Sequence, residues 1–175
     1  KSQDFINNSG FVSSYELILR NFNADSKNSS SYKNKTESTL NGLLQFNSKI
    51  PLQKESEKFR KILNPILSLK VNPNNSNKNI RGDEKFVDFT NIFSINRISS
   101  NEVLEGGQSI SIGSEYKILD KMDDLNEIFS LNLATSFRED KNDDLPLQSY
   151  LGQKTSNIVG ESRFKINDFI DINYN

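Results

Sequence analysis

The chain has 175 residues with 22 basic and 23 acidic side chains, so its formal net charge is −1, without the basic excess that nucleic-acid binding usually requires. It contains no cysteine and no histidine, which excludes disulfides, thiolate and Ser–His catalysis and the usual zinc sites. No pair of carboxylates stands out as an acid–base couple. We therefore expect no enzyme, no catalytic, cofactor or metal site, and no nucleic-acid partner.

Alternation of apolar and polar residues is the dominant pattern along the chain and is typical of strands with one apolar face. The pattern predicts about eight strands, over residues 11–22, 40–50, 63–71, 86–98, 110–118, 126–138, 157–166 and 169–174. Residues 25–35, 72–77, 121–126 and 139–156 have loop composition, and Asn167-Asp168 has the spacing of a tight hairpin. Residues 55–63, between Pro51 and Pro65, are predicted to form one or two helical turns at most.

The order of these elements predicts an all-β fold, an antiparallel up-and-down meander without crossover helices. Two architectures remain open, a soluble sandwich with the apolar face inside and an outer-membrane barrel with the apolar face in lipid. Strand length favours the barrel, because residues 126–138 exceed a usual strand and match the roughly 9–11 residues that cross a bilayer at a tilt. No apolar run is long enough for a membrane helix. Since the chain begins with Lys1, we interpret residues 1–175 as one partial domain of a longer protein.

Two blocks of the sequence carry a family resemblance. The first is Asn-Ile-Phe-Ser-Ile-Asn-Arg-Ile at 91–98, followed by Glu-Gly-Gly at 105–107 and Ser-Ile-Ser-Ile-Gly at 109–113. The second is Phe-Ser-Leu-Asn-Leu-Ala-Thr-Ser-Phe-Arg at 129–138, followed by Leu-Pro at 145–146 and Ser-Asn-Ile-Val-Gly at 156–160. In order and spacing these resemble the barrel region of the LptD (OstA) family of lipopolysaccharide-assembly outer-membrane proteins.

The resemblance has departures and a limited extent. Glu102 and Val103 stand where the family often has Asp-Arg, Ala-Thr at 134–135 replaces Gly-Gln, and Asn157 replaces Asp. The matching motifs lie within residues 83–174, and residues 1–82 fit only as preceding strands. These differences bear on particular ion pairs and not on the fold.

What the resemblance implies is a section of a large β-barrel in the outer membrane of a Gram-negative bacterium. Its family receives lipopolysaccharide from a periplasmic Lpt bridge and inserts it into the outer leaflet. The implied partners are lipopolysaccharide, outer-membrane lipid, the rest of the LptD chain and the plug lipoprotein LptE, and no cofactor is implied. The rival interpretations are an unrelated outer-membrane pore or receptor, and a soluble β-sandwich binding module.

Strand parity then assigns side chains to the two faces of the predicted barrel wall. The charged side chains expected to face the lumen, on a possible glycan path, are Arg97, Glu105, Glu115, Arg138, Glu161, Arg163 and Lys165. The side chains expected to face lipid are Ile110, Ile112, Tyr116, Phe129, Leu131, Leu133, Phe137, Phe164 and Ile166. Gly106 and Gly107 are expected to allow a bend at the barrel rim.

Less specific explanations stand beside these assignments. The charged set also fits a solvated face whose members pair with one another, each surface pair contributing about 0–1 kcal/mol. The apolar set also fits the core of a sandwich. Glu105-Gly106-Gly107 is either a functional corner or a backbone bend, and we favour the bend.

Overall fold

The computed structural model describes residues 1–34, 36–74, 78–82, 86–98, 103–167 and 170–174, with the backbone alone at residues 166 and 167. The described residues form nine strands and no helix, as the all-β prediction requires. The strands are β1 Phe5–Ile6, β2 Val12–Asp25, β3 Thr36–Lys49, β4 Leu52–Glu55, β5 Phe59–Asn72, β6 Gly107–Asp120, β7 Asn126–Arg138, β8 Val159–Asn167 and β9 Ile170–Tyr174.

One antiparallel sheet contains all nine strands in meander order. Neighbours follow the chain from β1 through β2, β3, β5, β6, β7 and β8 to β9, and β4 pairs with β5 as a continuation of β3. Five of the strands have 13 or 14 residues. The sheet is not closed, which fits the predicted section of a barrel.

The connections differ in length at the two ends of the sheet. The segments 26–35, 73–106 and 139–158 join strands at one end, which we call the long-loop end. The segments 7–11, 56–58 and 121–125 join strands at the opposite, short-turn end. No helix in the described part of the chain is long and apolar enough to cross a membrane.

The predicted strand over residues 86–98 is wrong. The segment forms consecutive turns, and Asp88 Oδ1 accepts hydrogen bonds from the backbone N–H groups of Thr90 and Asn91. The apolar residues that the segment buries from Phe89 onwards recur every third position, as Phe89, Ile92, Ile95 and Ile98. That spacing suits turns that pack onto one surface rather than the alternation of a strand.

The predicted helical turns over residues 55–63 are also wrong. The stretch forms the β4–β5 hairpin, in which Ser56 N–H donates to the Phe59 carbonyl at 2.9 Å. Pro65 lies inside β5, where its carbonyl accepts from Ile50 N–H at 3.2 Å. The backbone of Pro65 faces residues 50 and 51, where the neighbouring strand changes from β3 to β4. The regular ladder of hydrogen bonds is interrupted there, so the missing N–H of proline removes no bond between paired strands.

The remaining boundaries shift by a few residues. β3 begins at Thr36, four residues before the predicted start, and β1 was not predicted. The expected hairpin of β8 with β9 is present, with Asn167 opposite Ile170, while residues 168 and 169 lie outside the described residues.

Candidate functional site

The two faces of the sheet have opposite chemistry. We call the face that carries Ile110 and Phe137 the outer face, and the face that carries Ser111 and Ser136 the inner face. Large apolar side chains of the outer face are exposed, among them Leu19 at 61% and Leu40 at 65%. Such an extended exposed apolar surface marks contact with lipid or another apolar partner, and a sandwich would bury it.

The predicted lipid-facing residues lie on this outer face. Those more than a third exposed are Ile110, Ile112, Leu133, Phe137 and Phe164. Tyr116, Phe129 and Leu131 share the face but are half-buried by their neighbours. The Phe129 ring, for example, lies edge-on to Tyr116 at 6.1 Å and to Phe164 at 6.4 Å. The side chain of Ile166 lies outside the described residues.

The apolar zone of the outer face runs obliquely across the strands. The apolar outer-face residues extend from Tyr15 to Leu19 in β2 and from Phe129 to Phe137 in β7, so their midpoints are Leu17 and Leu133. The pairing of neighbouring strands allows both midpoints to be projected onto β5. Leu17 projects onto Val71 and Leu133 projects onto Pro65, so the two midpoints are six residues apart along the strand direction. Four strand spacings separate β2 from β7. The apolar zone is therefore displaced by about 20 Å along the strands over a distance of about 19 Å across them, which is a slope of about 45°.

A 45° slope is the geometry of strands that cross a bilayer at a tilt, because the apolar zone must stay parallel to the membrane plane. A soluble sheet has no reason to displace its apolar residues in this way between one side of the sheet and the other.

The inner face is polar and, at the long-loop end, buried. Ser68, Ser111 and Ser136 are each 1% exposed, and Lys70 is 3% exposed. The cover consists of residues 86–98 and 103–106, which we call the inner segment, together with part of the β7–β8 connection. Apolar residues of these stretches form the molecule's core against Ala134 and Leu43 of the sheet.

Three predicted site residues meet beneath the inner segment: Arg97, Glu105 and Arg138, here called the Arg–Glu–Arg cluster. Arg97 Nε donates to Glu105 Oε2 at 2.6 Å, and Nη2 of Arg97 and Nη1 of Arg138 both donate to Oε1. Arg97 also donates to three serines of the wall, Ser109 at 3.0 Å, Ser111 at 2.9 Å and Ser136 at 2.8 Å. The inner segment is thus tied to β6 and β7.

Glu105 remains ionised in this cluster. Burial alone would raise the pKa of Glu105, but the charges of Arg97 and Lys70 and the hydrogen bonds from Arg97 outweigh burial and lower the pKa to about 2. Breaking a buried ion pair by removing one partner typically costs about 3–5 kcal/mol, because it leaves a buried charge uncompensated.

Gly106 and Gly107 form part of the same cluster. Gly107 has a φ of +84°, which favours glycine, and a Cβ there would approach Arg138 Nη2 to 2.9 Å. The Gly106 carbonyl accepts a hydrogen bond from Arg138. The absence of a side chain at Gly107 therefore leaves space for the Arg138 guanidinium group at the start of β6. The two sequence blocks, remote along the chain, meet at this point.

The other predicted inner-face residues lie apart from the cluster, towards the short-turn end. Glu115 and Glu161 belong to one cross-strand row, Asn64–Glu115–Asn132–Glu161. Asn64 Nδ2 donates to Glu115 at 3.0 Å and Asn132 Nδ2 donates to Glu161 at 2.7 Å. We call these four residues the Asn–Glu row.

Arg163 and Lys165 of β8 continue beyond this row. Arg163 is exposed and forms a double hydrogen bond with Asp171, through Nε to Oδ1 at 3.0 Å and through Nη2 to Oδ2. Lys165 lies opposite Asp171 in the β8–β9 register and is partly buried. The expected charged set therefore divides into a buried structural cluster and an open polar surface.

Sequence reasoning missed several residues of the cluster. They are Lys70 and the serines at 109, 111 and 136, although small polar side chains repeat on the neighbouring strands β6 and β7. Gly113 was also missed: a Cβ there would approach Phe93 Cζ to 2.8 Å, so the glycine makes room for the inner segment. Among the described side chains, no group of three acidic residues could hold a metal ion.

Comparison with known proteins agrees with this geometry. A search of curated proteins gave no match to the chain. A family model described as LptD, LPS transport system D, matches residues 2–175. The match extends over the first strands as well as the two motif blocks, so residues 1–82 belong to the same family region. The chain belongs to the LptD family of the lipopolysaccharide transport system.

Proposed function

We infer, from membership of this family, that the chain acts in lipopolysaccharide transport and assembly at the outer membrane. We propose that the sheet is a section of the wall of the outer-membrane barrel that delivers lipopolysaccharide to the outer leaflet. The single observation that carries this proposal is the exposed apolar zone, which crosses the strands at about 45° while the opposite face is polar. That combination suits a tilted wall with lipid on one side and a hydrophilic lumen on the other.

The orientation across the membrane follows from the unequal ends. Outer-membrane barrels have short periplasmic turns and longer extracellular loops. The long-loop end, with segments 26–35, 73–106 and 139–158, is then extracellular, and the short-turn end is periplasmic. Lipopolysaccharide that arrives from the periplasm meets the open part of the inner face first.

The chemistry of that open part suits a phosphorylated glycan. The Asn–Glu row offers the carboxylate oxygens of Glu115 and Glu161 to sugar hydroxyl donors. Arg163 offers a guanidinium group suited to phosphate oxygens. Mixed donors, acceptors and charges favour weak, repeated contacts, so the glycan can pass without being held.

The transport step itself is passive for these residues. The glycan moves along the inner face while the acyl chains leave sideways into the bilayer, and the energy enters elsewhere in the transport system. The proposed partners are lipopolysaccharide, outer-membrane lipid, the remaining strands of the barrel, the plug lipoprotein LptE and the periplasmic Lpt bridge. Edge strands β1 and β9 are the places where further strands would pair.

Photo-crosslinking in cells tests the proposal. A crosslinking amino acid at Arg163 of the full-length protein should capture lipopolysaccharide, because Arg163 lies on the open inner face. The matched control is its neighbour Phe164, 48% exposed on the outer face, which should capture bulk lipid instead. Capture of lipopolysaccharide at Phe164 and not at Arg163 would reverse the two faces and refute the assignment.

A further inference from the structure

The inner segment is held against the wall more firmly than a surface loop requires. Ile92 and Leu104 are 0% exposed and Ile98 is 1% exposed. Phe93 packs edge-on to Phe89 at 5.7 Å and extends over the space left by Gly113. This burial places the segment on the inner face and not above the sheet.

Side chains of three strand residues, one in β3 and two in β5, anchor the backbone of the segment. Gln45 Nε2 donates to the Phe93 carbonyl at 2.6 Å, and Lys70 Nζ donates to the Ser94 carbonyl at 2.5 Å. Asn72 Nδ2 donates to the Glu105 carbonyl at 3.1 Å. Because these bonds reach backbone carbonyls on both sides of Arg97, the segment is fixed along its length and not at one point.

The ion pairs of the Arg–Glu–Arg cluster also hold the inner segment against the wall. If the segment left the wall, it would carry Arg97 and Glu105 away from β6 and β7, and Arg138 would lose its carboxylate partner. A buried charge without a partner has a high free energy, so the conformation in which the segment contacts the wall is strongly favoured. Three polar side chains of the wall, those of Gln45, Lys70 and Asn72, find their acceptors on the segment.

We propose that the inner segment is a seal within the chain, which keeps the long-loop end of the lumen beside this wall closed to small hydrophilic solutes. The inference rests on the proposed function, because it takes the inner face to be the lumen side. It adds a barrier role that is separate from transport. The glycan then travels along the open Asn–Glu row beneath the segment, while the segment stays in place.

Dye release from proteoliposomes tests the seal. Full-length wild-type protein and two variants, Arg97→Ala and Glu105→Gln, are reconstituted into vesicles loaded with calcein, a hydrophilic anionic dye. We expect both variants to release calcein faster than wild type, by roughly 150- to 5,000-fold if one buried ion pair controls whether the segment stays on the wall. The matched control is Arg60→Ala, which removes an arginine from a partly exposed pair with Glu55 and should not change the release rate.

Two outcomes of this experiment distinguish a failure of the seal from a failure of the proposed function. If the variants form heat-modifiable barrels in the vesicles and release calcein no faster than wild type, the seal is refuted and the barrel role stands. If wild type itself forms no membrane barrel, the proposed function fails instead.

Hydrogen exchange is a second test of the seal, and it uses the wild-type full-length protein, so it does not depend on whether a variant folds. The seal predicts slow exchange at Ile92 N–H, which donates to the Asp88 carbonyl at 3.0 Å within the seated segment. Exchange there as fast as in the exposed loop residues 26–34 would overturn the seal.

Discussion

Replacing Leu131 by arginine in the full-length protein should destabilise the barrel far more than the same change at Asn132. The two residues are neighbours at the middle of β7 but lie on opposite faces. Leu131 is on the outer face opposite Tyr116, whereas Asn132 is on the inner face between Glu115 and Glu161.

The magnitude follows from the position of Leu131 in the wall. Thirteen residues of β7 extend about 43 Å, which at a 45° tilt spans about 30 Å, the thickness of the hydrocarbon core. Leu131 then lies within about 5 Å of the midplane. A lipid-facing arginine there costs about 2–4 kcal/mol, or roughly 30- to 900-fold in the folding equilibrium.

For the substitution of Asn132 by arginine, a lost hydrogen bond is offset by new contacts with two carboxylates. It loses one hydrogen bond to Glu161, worth about 1 kcal/mol, and places a guanidinium group between two carboxylates at a wet surface. We expect a net change within about 1 kcal/mol. The assay is urea titration of the full-length protein in lipid vesicles, followed by the heat-dependent shift of the folded barrel on a gel. Equal destabilisation by both substitutions, or a larger effect at Asn132, would refute the face assignment.

Further outcomes follow from single residues. Gly107→Ala should lower the free energy of unfolding by at least about 1 kcal/mol because of the positive φ, while Gly82→Ala, in open space, should change it little in the same urea titration. Glu105 should make stability depend on pH: its pKa is depressed in the folded state, so its contribution is complete above its ordinary pKa and is lost as pH falls towards 2. Acid titrations of wild type and Glu105→Gln should therefore converge at low pH. Arg163→Ala should leave the midpoint of the same urea titration nearly unchanged, since its pair with Asp171 is exposed; a clear shift would indicate a structural role.

The sequence identifies strands where alternation is regular and fails where another interaction competes. β6 and β7 alternate along most of their length, up to a register shift after Ile118, and their predicted extents agree with the structure to within a few residues. Residues 86–98 contain enough apolar side chains for a strand, but their burial depends on a surface supplied by β3, β5, β6 and β7. No local pattern reveals that a connection folds back over its own sheet.

The same limit applies to the site. Parity places Arg138, Glu161 and Arg163 on the polar side of their strands, and the structure agrees with that parity. Parity does not reveal that Arg138 is buried with Arg97 and Glu105 while Arg163 stays exposed. The difference depends on which half of the inner face the inner segment covers, a long-range contact that depends on the whole sheet.

The most direct test of the central claim, that the outer face contacts lipid and the inner face contacts an aqueous lumen, is spin-label accessibility along β7. Single cysteines are introduced at successive positions from 129 to 137 of the full-length protein and labelled, and collision rates with oxygen and with a water-soluble nickel complex are measured in bilayers. We predict that oxygen is favoured at odd positions such as Leu131 and Leu133 and that the nickel complex is favoured at Asn132, which is half-buried on the inner face. The buried positions 130, 134 and 136 should show low collision rates with the nickel complex. High nickel accessibility at the odd positions, or no alternation, would contradict the account.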